Sequence, residues 1–312
     1  RADATPPGQA YAGVVDVVLQ PLQLLPATIS GVLYALGVRR LARTPRSVPS
    51  WRQWCFYGGV VLIVVTLTCL GDLADQLFSA HMAEHLIMAD IGGLLLVLGL
   101  TGPLLAPVLR IAVFDRLRVL AHPVVAFAAW AIDLYLWHVP GIHEAAVRHA
   151  GIHALQHMGF IVFGANMWMA LLGPLPKPAW FGNAAKLGYV LAVRLTGALL
   201  ANVFLFGGRV FYDVYAPGEA AHGISPAADQ NAAGAIMMVE GSVLTICLFA
   251  WLFLRAASEG EERQELLDFA ATHGVELSEE RAARAVSAGR GSELRRRLEV
   301  GEERRRESTG AP

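Results

Sequence analysis

The sequence predicts an all-α membrane protein of seven transmembrane helices, N-terminus outside, C-terminus cytoplasmic, with a polar C-terminal tail. Three observations lead there. The 312 residues are 55% hydrophobic and only 16% charged, with a mean hydropathy of +0.47, whereas a soluble domain carries about 25% charge. Apolar stretches that approach or exceed the ~20 residues needed to cross a bilayer recur along the chain. Arginine and lysine collect in alternate connections between those stretches.

The spans are placed at residues 15–38, 54–71, 82–109, 121–139, 154–173, 187–207 and 232–254. Pro21, Pro26 and Gln23 interrupt the first, which a membrane helix tolerates where neighbours satisfy the freed carbonyls. Gly92, Gly93, Gly99 and Gly102 in the third permit close helix packing, and Pro103 kinks or ends it. The loops after spans one, three and five carry Arg39, Arg40, Arg43, Arg46, Arg52, Arg110, Arg116, Arg118, Lys177 and Lys186, against Arg1, Arg148 and Arg209 on the other side. Ten against three is a positive-inside signal, and its strict alternation supports an odd number of helices.

Three regions follow: an extracytoplasmic segment 1–14, a membrane domain 15–254 and a charged cytoplasmic tail 255–312. In the tail, Glu261–Ala270 has the pattern of a short amphipathic helix, and the remainder reads as loosely structured. The chain begins at Arg1 and reads as a fragment or a processed product. Cys55, Cys69 and Cys247 show no paired spacing, which argues against a disulfide framework and a thiolate metal site. A net charge of -1, segregated along the chain, gives no footprint for nucleic acid.

Seven of the ten histidines fall in three short stretches, HMAEH (His81, His85), WHVPGIH (His138, His143) and RHAGIHALQH (His149, His153, His157). The predicted topology puts all three at the outer surface. His81 with His85, and His153 with His157, are spaced i,i+4 and share a helix face. Several imidazoles taken out of water need partners, and metal ligation supplies them, since neutral imidazole suits Cu, Zn and Fe. Without cysteine the site is imidazole-rich, which favours copper. The ligand set is His81, His85, His138, His153 and His157. Met88, Asp72, Asp75, Asp133 and Asp229 are secondary candidates: Met88 as a soft ligand or plain packing, and Asp133 as an acceptor orienting an imidazole or a structural hydrogen bonder. His143, His149 and His222 read as interfacial or helix-end residues.

Two other chemistries fit parts of the pattern. HMAEH matches the inverted zinc-protease motif with Glu84 as base, but the sequence names neither a third ligand nor a cleft. Two facing histidines are also what an axial haem needs, which would make the chain a haem-binding or quinol-reactive oxidoreductase. Asp90, Asn166, Arg194, Asn202 and Glu240 also fall inside spans. Arg194 is expected to snorkel or to pair with Asp90 or Glu240.

The segments FSAHMAEHLIM, LLLVLGLTGPLLAPVLR, HPVVAFAAWAIDLYLWHVPGIHEAAVRHAGIHALQH, FYDVYAP and DQNAAGAIM resemble the CtaG family of cytochrome c oxidase assembly proteins, over residues 15 to 254 and not the tail. The resemblance implies a seven-helix protein of the bacterial plasma membrane that helps mature haem-copper oxidases, with copper delivered to oxidase subunits from the extracytoplasmic side. It implies a metal chaperone or a scaffold for subunit insertion rather than an enzyme. It selects the same five histidines and adds Asp229 and Gln230. The chain departs from the family pattern at Ala89-Asp90-Ile91-Gly92-Gly93, where many members carry Ala-Pro-Pro. Some actinobacterial relatives carry a further membrane domain upstream.

Overall fold

The computed structural model describes residues 21–112, 117–287 and 289–309. The expected segment 1–14 and the start of the first span lie outside them. The described residues contain helices and no strand. They divide into two compact units, one ending at Val243 and one beginning at Leu244.

In the first unit, helix α1 covers Pro21–Leu41 and α2 covers Ser50–Cys69. Helix α3, Phe78–Gly99, is α-helical except for a π-helical turn at Ile87–Gly92. Helix α4 is Pro123–Trp137, α5 Pro140–Arg148, α6 Ala150–Leu172 and α7 Asn183–Phe206. Helix α8, Pro226–Thr272, begins here and continues past the division.

Five of these, α2, α3, α6, α7 and α8, are long and apolar enough to cross a membrane. Helix α1 is not among them. Helix α4, at 15 residues, spans only about 22 Å of a ~30 Å hydrocarbon layer. With α5, to which it is bent by 73°, it makes a sixth. Pro140 explains the bend: proline excludes the preceding residue from the α region, and Val139 is extended.

Helix α3 is central, and small residues let its neighbours in. A Cβ on Gly59 of α2 would lie 3.0 Å from the Gly92 carbonyl, and one on Gly164 of α6 would lie 2.9 Å from that of Ala89. The third span ends earlier than residue 109. Leu100 and Thr101 are extended, and the last carbonyls of α3 are taken by other helices. Arg52 donates to Leu98 O and Leu100 O at 2.8 and 2.9 Å, and the Tyr34 hydroxyl to Gly99 O at 3.0 Å. These bonds satisfy acceptors that a helix end leaves open.

Polarity is arranged inside out. Leu195, Leu199, Phe206 and Val239 are exposed on helix faces, while histidines and carboxylates are buried among the helices. Such apolar faces suit lipid, where backbone polar groups must be satisfied internally. Arg194 joins both of its expected partners: Nη1 lies 2.8 Å from Asp90 Oδ2 and 3.7 Å from Glu240 Oε2. Asn166 and Asn202 donate to backbone carbonyls.

The second unit corrects the expectation of a loosely structured tail. Helices α9, Glu279–Ser287, and α10, Gly291–Thr309, pack with the end of α8 around Leu266, Val286, Leu294 and Leu298. The apolar residues are sparse, which hid them in composition, but their spacing gathers them into one small core.

Candidate metal centre

The centre forms where α3 begins. Positions 81, 84 and 85 are spaced i, i+3 and i+4, so His81, Glu84 and His85 share one face. Helix α6 sets His153 and His157 against it. One ligand atom each from His81, Glu84, His85 and His153 all fall within 4.8 Å of one another, and all four side chains are buried. The donors of one tetrahedral ion with bonds of about 2.0–2.1 Å stand about 3.4 Å apart, so an ion would draw these atoms together by up to about 1.4 Å. The His157 Nε2 lies 3.4 Å from Glu84 Oε2, and its ring is 4.2 Å from that of His153 and 5.2 Å from that of His85.

The chemistry of these donors fits an ion. Among the described residues, no group hydrogen-bonds to either ring nitrogen of His81 or His85, to either carboxylate oxygen of Glu84 or to His153 Nε2. Buried polar atoms are nearly always partnered, and leaving one unpaired costs roughly 1–3 kcal/mol. A cation bound by imidazoles and a carboxylate would satisfy them together.

His143 was expected to be peripheral and is not. It is fully buried, its ring 4.9 Å from that of His81, and its Nε2 lies 2.9 Å from the Tyr215 hydroxyl. The bend at Pro140 turns α5 back over the helix ends and carries His143 inward. The readable signal was the proline: a helix opening at Pro140 places His143 one turn inside it. His149 and His222 are exposed as expected.

His138 stands outside the four-residue group. It ends α4, with its ring 6.1 Å from that of His143. Its Nδ1 bonds Leu134 O at 2.6 Å, and its Nε2 faces Met82 Sδ at 3.3 Å. The secondary candidates separate clearly. Met88 packs with Ile63 and Leu67 in a hydrophobic core cluster. Asp133 accepts from Trp137 Nε1 at 2.9 Å and so serves as a structural hydrogen bonder. Asp75 reaches the rim, its Oδ1 3.7 Å from His153 Nδ1. Burial, then the charges of Glu84 and Asp72, push its pKa up to about 6. Asp72 acts on Asp75 through that charge.

Asp229 holds the centre from outside. It lies on α8 and accepts from the backbone N–H of Phe78 at 2.6 Å, that of Ser79 at 3.1 Å, and the Ser79 hydroxyl. These are the first residues of α3, whose own Leu77 makes no side-chain cap. A carboxylate there satisfies open donors and complements the positive helix end. Gln230 beside it accepts from Phe211 N–H and donates to Phe204 O and Arg209 O. That pins the segment from which the Tyr212 hydroxyl donates to His138 O at 2.8 Å.

The HxxEH motif thus finds a third donor, His153, but no access: Glu84 is fully buried, so no peptide bond reaches its carboxylate in this conformation.

The family model for the cytochrome c oxidase caa3 assembly factor, Caa3_CtaG, matches residues 32–259. Uncharacterized proteins of Mycobacterium bovis and Mycobacterium tuberculosis are each 26% identical to the chain over 200 residues, 57% of this chain and 30% of theirs. One of Mycobacterium leprae is 24% identical over 186 residues, 54% of this chain and 28% of its own. The chain spans less than a third of the length of these curated relatives. No solved structure matches it.

Proposed function

Because the chain belongs to the cytochrome c oxidase caa3 assembly factor family, we propose that it matures the oxidase by binding copper at the helix-end histidine cluster and passing it to an oxidase subunit. The cargo ion is held by His81, Glu84, His85 and His153, with His157 and His143 alongside. The single observation that carries this reading is the buried group of four donors, in which both ring nitrogens of His81 and of His85, both Glu84 carboxylate oxygens and His153 Nε2 have no hydrogen-bond partner among the described residues. Imidazoles with one carboxylate and no thiolate suit a borderline ion such as copper. Exchange from one imidazole to the next moves an ion without releasing it, and no covalent chemistry is required of the chain.

The positive-inside charge bias of the sequence supports a cluster facing the extracytoplasmic side of the plasma membrane, within the seven-span arrangement read from the sequence. The close packing of the rings favours an ion over a haem. Centroids stand 4.2 Å apart for His81 and His85 and 5.2 Å for His81 and His153.

Detergent-purified protein is expected to bind about one to two copper ions per chain, an estimate from the donor count, and to show no Soret band. The double variant His81→Ala, His85→Ala should lose most of its Cu(II). Unchanged Cu(II) affinity in the double variant would overturn the assignment. Full copper loading of the oxidase in cells lacking this protein, with oxidase subunits depleted, would show a scaffold for subunit insertion instead.

A further inference from the structure

Met82 and His138 have no place in the four-donor group, yet they meet beside it in an unusual way. The Leu134 carbonyl can only accept, so the 2.6 Å contact with His138 Nδ1 puts the ring proton on Nδ1. In the neutral ring Nε2 is then bare, a lone pair with no proton to give. What it faces, at 3.3 Å, is the Met82 thioether sulfur, which also has only lone pairs. Both side chains are buried, so water does not mediate. Two acceptors in van der Waals contact, held by different helices, gain nothing from each other as they stand. A cation shared between them would turn the pairing into a bond to each.

We propose that Met82 and His138 form a second metal station, selective for a soft monovalent ion of the Cu(I) type and distinct from the four-donor group. The inference rests on the metal-binding reading above and deepens it. Thioether sulfur selects soft ions, while imidazole with carboxylate suits harder, divalent ones, so the two stations differ in which ion they hold. The geometry fits: with bonds of about 2.0 Å to nitrogen and about 2.3 Å to sulfur, a 3.3 Å separation gives an angle of about 100° at the ion, close to tetrahedral. His143 links the stations, its ring 6.1 Å from His138 and 4.9 Å from His81. Tyr212, which donates to the His138 carbonyl, fixes the backbone of the outer donor.

The test is X-ray absorption on the purified protein loaded with Cu(I) under reducing conditions, beside titrations with Ag(I) and Zn(II). The wild type should show a sulfur scatterer at about 2.3 Å. Met82→Leu, which keeps the apolar volume, should lose that shell and weaken Ag(I) binding about tenfold or more while Zn(II) affinity stays unchanged. Intact Zn(II) binding shows that the variant is folded. His81→Ala with His85→Ala should give the converse, with Zn(II) lost and the sulfur shell kept. A sulfur-free Cu(I) shell in the wild type, or Ag(I) binding unaffected by Met82→Leu, overturns the second station and leaves the first standing. A wild type that binds none of the three ions overturns both.

Discussion

Replacing Asp229 by alanine tests whether the proposed metal centre depends on a residue outside its donor group. The carboxylate accepts two backbone N–H groups and one hydroxyl at the start of α3. Losing a helix N-cap costs about 1 kcal/mol. The Phe78 N–H is also stranded in a buried position, which adds roughly 1–3 kcal/mol. The sum, about 2–4 kcal/mol, falls on the turn just before His81. With about half of it expressed at the donors, metal affinity drops roughly tenfold. Asp229→Asn keeps an acceptor and should recover most of the loss, which a generic packing defect would not. The assay is a competitive metal titration of the purified protein with thermal unfolding alongside. Affinity within twofold of wild type in Asp229→Ala, or an Asp229→Asn variant as weak as Asp229→Ala, would refute the idea that the cap positions the donors.

Three further outcomes follow from the same geometry. His143→Ala should lower metal affinity, whereas His149→Ala, at an exposed position, should leave it unchanged in the same titration. Arg194→Ala leaves buried Asp90 and partly buried Glu240 without their cation; breaking a buried pair costs about 3–5 kcal/mol, so the thermal midpoint should fall sharply, and adding Asp90→Asn and Glu240→Gln should restore part of it. The Asp75 carboxyl titrates at about 6, above its ordinary 3.8, so the folded state holds a proton there that the unfolded chain has released. Stability through this group is therefore greatest below pH 4 and falls as pH rises to about 6. Asp75→Asn should match wild type in thermal unfolding near pH 4 and exceed it at pH 7.

Most of the helices, and the histidines of the centre, were legible because both are written in local patterns. A ~20-residue apolar run is a span whatever surrounds it, and i,i+4 histidines share a face in any helix. What escaped depends on distant contacts. Glu84 reads locally as a motif base, and only the approach of α6 makes it a donor beside His153. His143 reads as a surface residue unless the bend at Pro140 is built. The sulfur expected to matter was Met88, but it packs against Ile63 and Leu67, and a methionine that meets a histidine is Met82. The tail's small core was missed because Leu266, Val286, Leu294 and Leu298 are few among many charges.

The dependence on distant contacts has a physical logic in α3. This helix is held at three points by side chains from other helices: Asp229 at its first turn, Arg194 at Asp90 in the π turn, and Arg52 with Tyr34 at its last carbonyls. A metal site needs its donors placed before the ion arrives, since ordering them afterwards subtracts from affinity. Helix propensity alone cannot do this, because unpaired buried imidazoles favour moving apart toward partners or water. The three anchors oppose that drift, and each acts on the backbone or on a charge and not on a histidine. They can therefore hold the register of His81, Glu84 and His85 while leaving the rings the freedom that the proposed ion exchange requires. On this account the π turn, which sets Asp90 against Arg194, belongs to the machinery of the centre although no donor lies within it.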